Sequence, residues 1–209
     1  MISKSACIIF SGYYGCLRGE EIGKSDLGAM RKYWKEAMEH LEYRHVPLIL
    51  AGRFKGETGI KRFCQPLCAV TQNGRELGKW FGRYIGCLQS FGVTTGPLFR
   101  NEKGSRMGVA ELDLHFHWVL TEVQRRFPNV IPDSVKVTDS YSTYRSLRRG
   151  ATSEAQNVGI SEIVIESNNR WRKKQRANGM KPGWSMIQHY TDAKVSIPTL
   201  IQFSRELPS

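Results

Sequence analysis

Three arginines open the question of chemistry. Arg145, Arg148 and Arg149 stand three and four positions apart, so a helix through them would carry all three on one face. Guanidinium groups crowded in this way repel one another unless an anion sits between them. The planar fork of arginine grips phosphate oxygens in pairs. The cluster begins a basic stretch that runs to Lys181 and continues through Arg170, Arg172, Lys173, Lys174, Arg176 and Lys181, with Trp171 interleaved. Nine basic residues face only Glu154, Glu162 and Glu166 there, which accounts for half of the net charge of +12. A charge imbalance of this size points to a polyanion, either nucleic acid or an acidic membrane face.

Other groupings are weaker. Cys64 and Cys68 could form half of a metal site, but no second Cys/His pair at ligand spacing follows. His115 and His117 are two positions apart, which does not align two ligands on one helix face. Gly92-Val-Thr-Thr-Gly96 lacks the Lys-Ser/Thr of a phosphate-binding loop. Neither a metal nor a cofactor is expected. The five cysteines are odd in number and sparse, and they read as reduced thiols of an intracellular protein.

Five short boxes, in order, resemble the tyrosine recombinases, the phage-integrase-like enzymes that break and rejoin DNA. Gly15-Cys-Leu-Arg18-Gly-Glu-Glu21 looks like the first box, in which a Gly-x-x-Arg ends one helix and an acidic residue follows three later. Gly52-Arg-Phe-Lys55-Gly-Glu-Thr-Gly59 sits where the family places its hairpin lysine. Arg145-Ser-Leu-Arg148 looks like the second box, His-x-x-Arg, with Arg145 at the histidine position. Asn169-Arg-Trp171 resembles the third box. Met186-Ile-Gln-His-Tyr190-Thr-Asp looks like the helix of the nucleophilic tyrosine. The combination is most similar to the divergent recombinases of eukaryotic mobile elements, and it covers about residues 5 to 205.

The resemblance implies a metal-independent strand transferase. Tyr190 would attack the scissile phosphate and form a 3′-phosphotyrosyl link, which stores the phosphodiester energy without a cofactor. Arg18 and Arg148 would clamp the non-bridging oxygens. Lys55 would protonate the leaving 5′-oxygen, and Trp171 would donate its indole N–H to a phosphate oxygen. Glu21 would orient an arginine from behind, and Arg149 with the cations from Arg170 to Lys181 would hold the DNA backbone. Tyr141 and Tyr144 precede the arginine cluster, where the family has no nucleophile.

Two departures stand out. Arg145 is always protonated and cannot serve as a general base, although it can still bind phosphate and lower the tyrosine pKa. Residues 172–183 lengthen the spacing between Trp171 and Tyr190 and read as a basic, DNA-facing loop. Two other readings therefore stay open: an inactive DNA-binding module derived from such an enzyme, and a type IB topoisomerase-like activity.

The elements that must position these residues follow from periodicity. Residues 3–17 read as a buried helix; Ser11, Gly12 and two tyrosines interrupt the apolar run that superficially resembles a signal peptide. Residues 26–42 read as an amphipathic helix capped by Asp26. Val46–Ala51 and Ile60–Val70 read as a hairpin around the Gly52–Gly59 turn. Residues 75–90, 109–126, 141–157, 161–170, 184–192 and 197–206 read as helices, and Pro128 and Pro132 bracket a loop. The fold class is mainly α with a small antiparallel β-hairpin (α+β).

With 40% hydrophobic residues, the 209-residue chain can bury a substantial core. No apolar run is long enough to span a bilayer. The resemblance implies one catalytic domain over residues 1–209, lacking the N-terminal core-binding domain that the family usually carries. Weak and strongly salt-dependent DNA binding is the expectation for such a half-clamp. The implied partners are double-stranded DNA and further recombinase protomers assembled on it, with no membrane. The implied location is intracellular, and nuclear if the host is eukaryotic.

Overall fold

The computed structural model describes residues 1–54, 59–169 and 193–208. It is mainly helical, with one two-stranded antiparallel sheet. Helix α1 (Ile2–Tyr13) leads to the short α2 (Gly19–Ile22) and to α3 (Leu27–Glu39). Strands β1 (His45–Gly52) and β2 (Lys61–Cys68) follow, then α4 (Leu77–Ser90), α5 (Val109–Arg126), α6 (Val137–Ser140), α7 (Ser146–Asn157) and α8 (Glu162–Asn169). We label Ala193–Glu206 as α9.

Helix α1 stops four residues earlier than its apolar period suggests. Gly15 lies so close to the preceding turn that a Cβ there would meet the Ser11 carbonyl oxygen at 2.6 Å. Cys16 then adopts a left-handed conformation at φ 47°, rare for a residue with a side chain. The chain reverses at this point and delivers Arg18, in extended conformation, to the N-cap of α2. This turn is what the Gly15-Cys16-Leu17-Arg18 stretch forms.

Helix α3 starts as its sequence predicts: the Asp26 carboxylate accepts from the Ala29 N–H at 2.8 Å. It ends at Glu39, because His40 is already extended. In the hairpin, His45 pairs with Cys68 and Gly52 with Lys61. Pro47 and Pro66 face each other, so both missing N–H donors fall on one rung. Residues 24–26 run along the other edge of β1: Ala51 N–H donates to the Lys24 carbonyl and Asp26 N–H to that of Ile49, each at 2.8 Å. The segment following Arg18 is thereby stitched to β1.

Burial on both faces explains why β1 reads as a continuous apolar run rather than an alternating one. Helix α3 packs against β1 and α9 against β2, while α1 crosses α4, α5 and α7. Ile8, Leu17, Leu48, Leu67, Phe81, Phe99 and Phe203 belong to one buried cluster joining these elements. Helix α1 approaches α7 closely at Gly12, where a Cβ would collide with the Leu147 side chain. Among the described residues, no helix is long and apolar enough to cross a membrane.

Two further helices start elsewhere than expected. The predicted 141–157 helix starts only at Ser146, because Ser142 and Thr143 are held elsewhere, as described below. Helix α9 starts at Ala193, so Pro198 lies inside it and removes one backbone hydrogen bond. The predicted helix at 184–192 lies outside the described residues.

Candidate active site

The first box folds around its own acid. Glu21, in the only turn of α2, reaches back so that its Oε2 accepts from the Arg18 backbone N–H at 2.9 Å. The same oxygen lies 3.6 Å from Nη1 of Arg148, an ion pair with both side chains about nine-tenths buried. The Arg148 Nη2 donates to the Asn169 carbonyl at the end of α8. One carboxylate therefore joins the start of α2 to the first turn of α7, and the same guanidinium continues the link to α8.

Asn169 is itself fixed. Its side-chain amide donates to the Ile165 carbonyl at 3.0 Å and to Thr152 Oγ1 at 3.2 Å. Its neighbour Asn168, fully buried, accepts from Gln65 Nε2 of β2 at 2.7 Å. These polar groups form a buried relay from the hairpin through α8 to Arg148. In a low-dielectric interior such a relay holds a guanidinium in one orientation.

A second staple works through the backbone. Gly19 N–H donates to the Thr143 carbonyl at 3.0 Å. Asp113 of α5 holds the same turn: its Oδ1 accepts from Thr143 N–H at 2.6 Å and from Thr143 Oγ1 at 2.7 Å. Its Oδ2 accepts from Ser142 Oγ at 3.1 Å. These bonds pull residues 142–143 out of helical geometry, which is why α7 begins late. They also set the first and second boxes side by side.

The three arginines of the second box do not share one face. Arg148 points inward and is 7% exposed, whereas Arg145 and Arg149 are exposed. Arg145 precedes the helix as its N-cap, so the helical spacing that would align it with Arg148 does not apply. Its guanidinium lies over the Tyr144 ring, 5.6 Å from the centroid. Arg18 is half-buried and makes no ion pair among the described residues.

Lys55, Trp171 and Tyr190 lie outside the described residues, as do the DNA-binding candidates Arg170, Arg172, Lys173, Lys174, Arg176 and Lys181. Of the sequence-predicted set, the structure brings together the Arg18 backbone, Glu21 and Arg148; Arg145 and Arg149 stand exposed at the start of α7 instead. Sequence reasoning missed Asp113, Thr143, Asn168 and Gln65, whose partners are about thirty or a hundred positions away and leave no local pattern.

The remaining candidates have structural partners. His115 Nδ1 lies 2.9 Å from Ser5 Oγ, and His117 Nε2 donates to the Tyr141 carbonyl at 2.7 Å. Burial pushes the Cys64 thiol up to about 12 and the Cys68 thiol up to about 11. Among the described residues, no group of three His, Cys, Asp or Glu side chains could hold a metal ion. No family model, no curated protein and no solved structure matches this chain.

Proposed function

We propose that the chain is the catalytic domain of a site-specific DNA strand transferase of the tyrosine recombinase type. The observation that carries this reading is the meeting of the first and second boxes on Glu21. The Arg18 N–H and the Arg148 guanidinium share one carboxylate oxygen, although 130 positions of sequence separate them. Such an arrangement fixes two cation-bearing segments before substrate arrives, as stabilisation of a charged transition state requires.

In this reading the Tyr190 phenol gives its proton to solvent water, and its oxygen attacks the phosphorus in line with the 5′-oxygen. The phosphorus–5′-oxygen bond breaks, Lys55 gives the leaving oxygen a proton, and a 3′-phosphotyrosyl bond remains. Rejoining runs these steps in reverse with another 5′-hydroxyl. Arg18, Arg145 and Arg148 offset the charge on the non-bridging oxygens and Trp171 donates to one of them. Arg149 and the cations from Arg170 to Lys181 hold the flanking backbone.

The test is covalent trapping on nicked DNA, read as a protein–DNA band that survives denaturing electrophoresis. The wild-type chain gives the band and Tyr190→Phe gives none. A band from Tyr190→Phe means that the nucleophile is another residue.

One observation favours a second reading, a DNA-binding module without cleavage. Arg145 occupies the position of a titratable histidine and stays protonated, and it stands exposed at the start of α7. Salt-dependent DNA binding with no covalent band on any substrate supports the module instead.

A further inference from the structure

The surface at the start of α7 opens into a cleft of about 450 Å³ walled by α5, α6 and the 141–149 segment. Its charges are unequally engaged. Asp113 spends both oxygens on the 142–143 turn, and Asp139 pairs with Lys136 at 2.9 Å. Arg145 and Arg149 line the same cleft, are exposed, and make no ion pair among the described residues. The Arg149 N–H donates to the Arg145 carbonyl at 2.9 Å, so both side chains arise from one turn at the start of α7, and the planar fork of arginine grips phosphate oxygens in pairs.

The same segment is also aromatic. Tyr141 and Tyr144 both line the cleft, and neither phenol hydroxyl has a hydrogen-bond partner among the described residues. The Arg145 guanidinium lies 5.6 Å from the Tyr144 ring centroid, a cation–π pair, and exposed aromatic rings of this kind are surfaces on which nucleobases stack. His117 fixes the Tyr141 backbone to α5.

We infer that this cleft receives one unpaired nucleotide of a DNA strand, its phosphate between Arg145 and Arg149 and its base against Tyr141 and Tyr144. The inference rests on the strand-transferase reading only in taking the polymer to be DNA. A free phosphate would engage the arginines and leave the tyrosines unused. A base-paired nucleotide keeps both faces of its base inside the stack and cannot enter a cavity of this size; an extruded or single-stranded one can. The substrate class is therefore duplex DNA with an unpaired nucleotide.

The test compares the affinity of the full chain for a blunt duplex and for the same duplex carrying one bulged thymidine, by fluorescence anisotropy at fixed salt. The wild-type chain binds the bulged duplex about tenfold tighter, the scale of one base–aromatic stack. Tyr141→Leu with Tyr144→Leu brings that ratio towards one. Thermal melting establishes that the variant is folded, and Tyr144→Leu alone, at an exposed position, repeats the measurement if it is not. A wild-type ratio of one overturns the proposal, and so does a ratio that survives loss of both rings. The strand-transferase reading fails separately, by the absence of any covalent band while the preference for the bulge persists.

Discussion

Glu21 and Arg148 form a buried ion pair at 3.6 Å, and the Glu21 oxygen that makes it also caps the backbone of Arg18 at 2.9 Å. The carboxylate thus does two jobs that cannot be separated in space. It ends the turn after α1, and it holds the inward-facing arginine of α7. Local folding of the first box and orientation of the second depend on one side chain.

Removing that carboxylate takes an ion-pair partner from a guanidinium that is nine-tenths buried. Glu21→Ala is expected to cost about 3–5 kcal/mol of folding stability. Glu21→Gln keeps an acceptor for the Arg18 N–H and is expected to lose less. Urea unfolding of the three proteins measures both, and a Glu21→Ala variant as stable as wild type would show that the pair contributes nothing.

Asp113 makes the matching prediction on the other side of the site. It accepts three hydrogen bonds from Ser142 and Thr143. Asp113→Ala is expected to cost about 2–4 kcal/mol, since bonds to a charged acceptor are worth about 1.5–3 kcal/mol each and water recovers part of the loss. Without this tether residues 142–145 are free to continue α7, so helical content by circular dichroism should not fall at temperatures where the variant is folded. A stability equal to wild type means that the turn holds itself.

What was legible in the sequence was local. The Asp26 cap, the apolar run of β1 and the 109–126 helix each depend on neighbours within a turn or a strand. Glu21 was expected to orient an arginine, but that its partner is Arg148, far along the chain, was not legible. Nor was the inward turn of Arg148, because spacing says which residues share a face but not which face meets the core. Asp113 sits mid-helix like any polar residue, and only the arrival of the 142–143 turn gives it a task. By sequence Asn169 is merely a neighbour of Trp171, yet its backbone carbonyl receives the Arg148 guanidinium.

Two glycines separate backbone freedom from close packing. A Cβ at Gly19 would lie 2.7 Å from Thr143 Oγ1 and 3.3 Å from Val109 Cγ2. Gly19→Ala is therefore expected to destabilise by about 1–3 kcal/mol and to loosen the contact between the boxes. Gly86 lies inside α4 with nothing within 4 Å of its would-be Cβ. Gly86→Ala is expected to stabilise by about 0.5–1 kcal/mol, through the helix propensity of alanine and a less free unfolded chain. Opposite signs in thermal melting support this packing, and a stabilising Gly19→Ala contradicts the 2.7 Å approach.

Acid should weaken the fold before its carboxylates titrate. His115 is held below its ordinary pKa, first by burial and then by the Lys4 ammonium and the amino terminus of Met1. His45 is also lowered by burial, with its hydrogen bond to the Tyr43 carbonyl acting against the shift. Each histidine binds its proton more readily in the unfolded chain, where the pKa is about 6.5. Their contribution is therefore complete above about pH 6.5 and is lost as pH falls through the folded-state values. The carboxylates of Glu111, Glu122 and Asp139 are lowered too, so theirs is lost only further into acid, below about pH 4.5. The melting temperature should accordingly decline between about pH 7 and pH 5, and His115→Gln should make that decline shallower while His45 retains its share. A flat profile across this window, or an unchanged slope in His115→Gln, would remove His115 from the acid response.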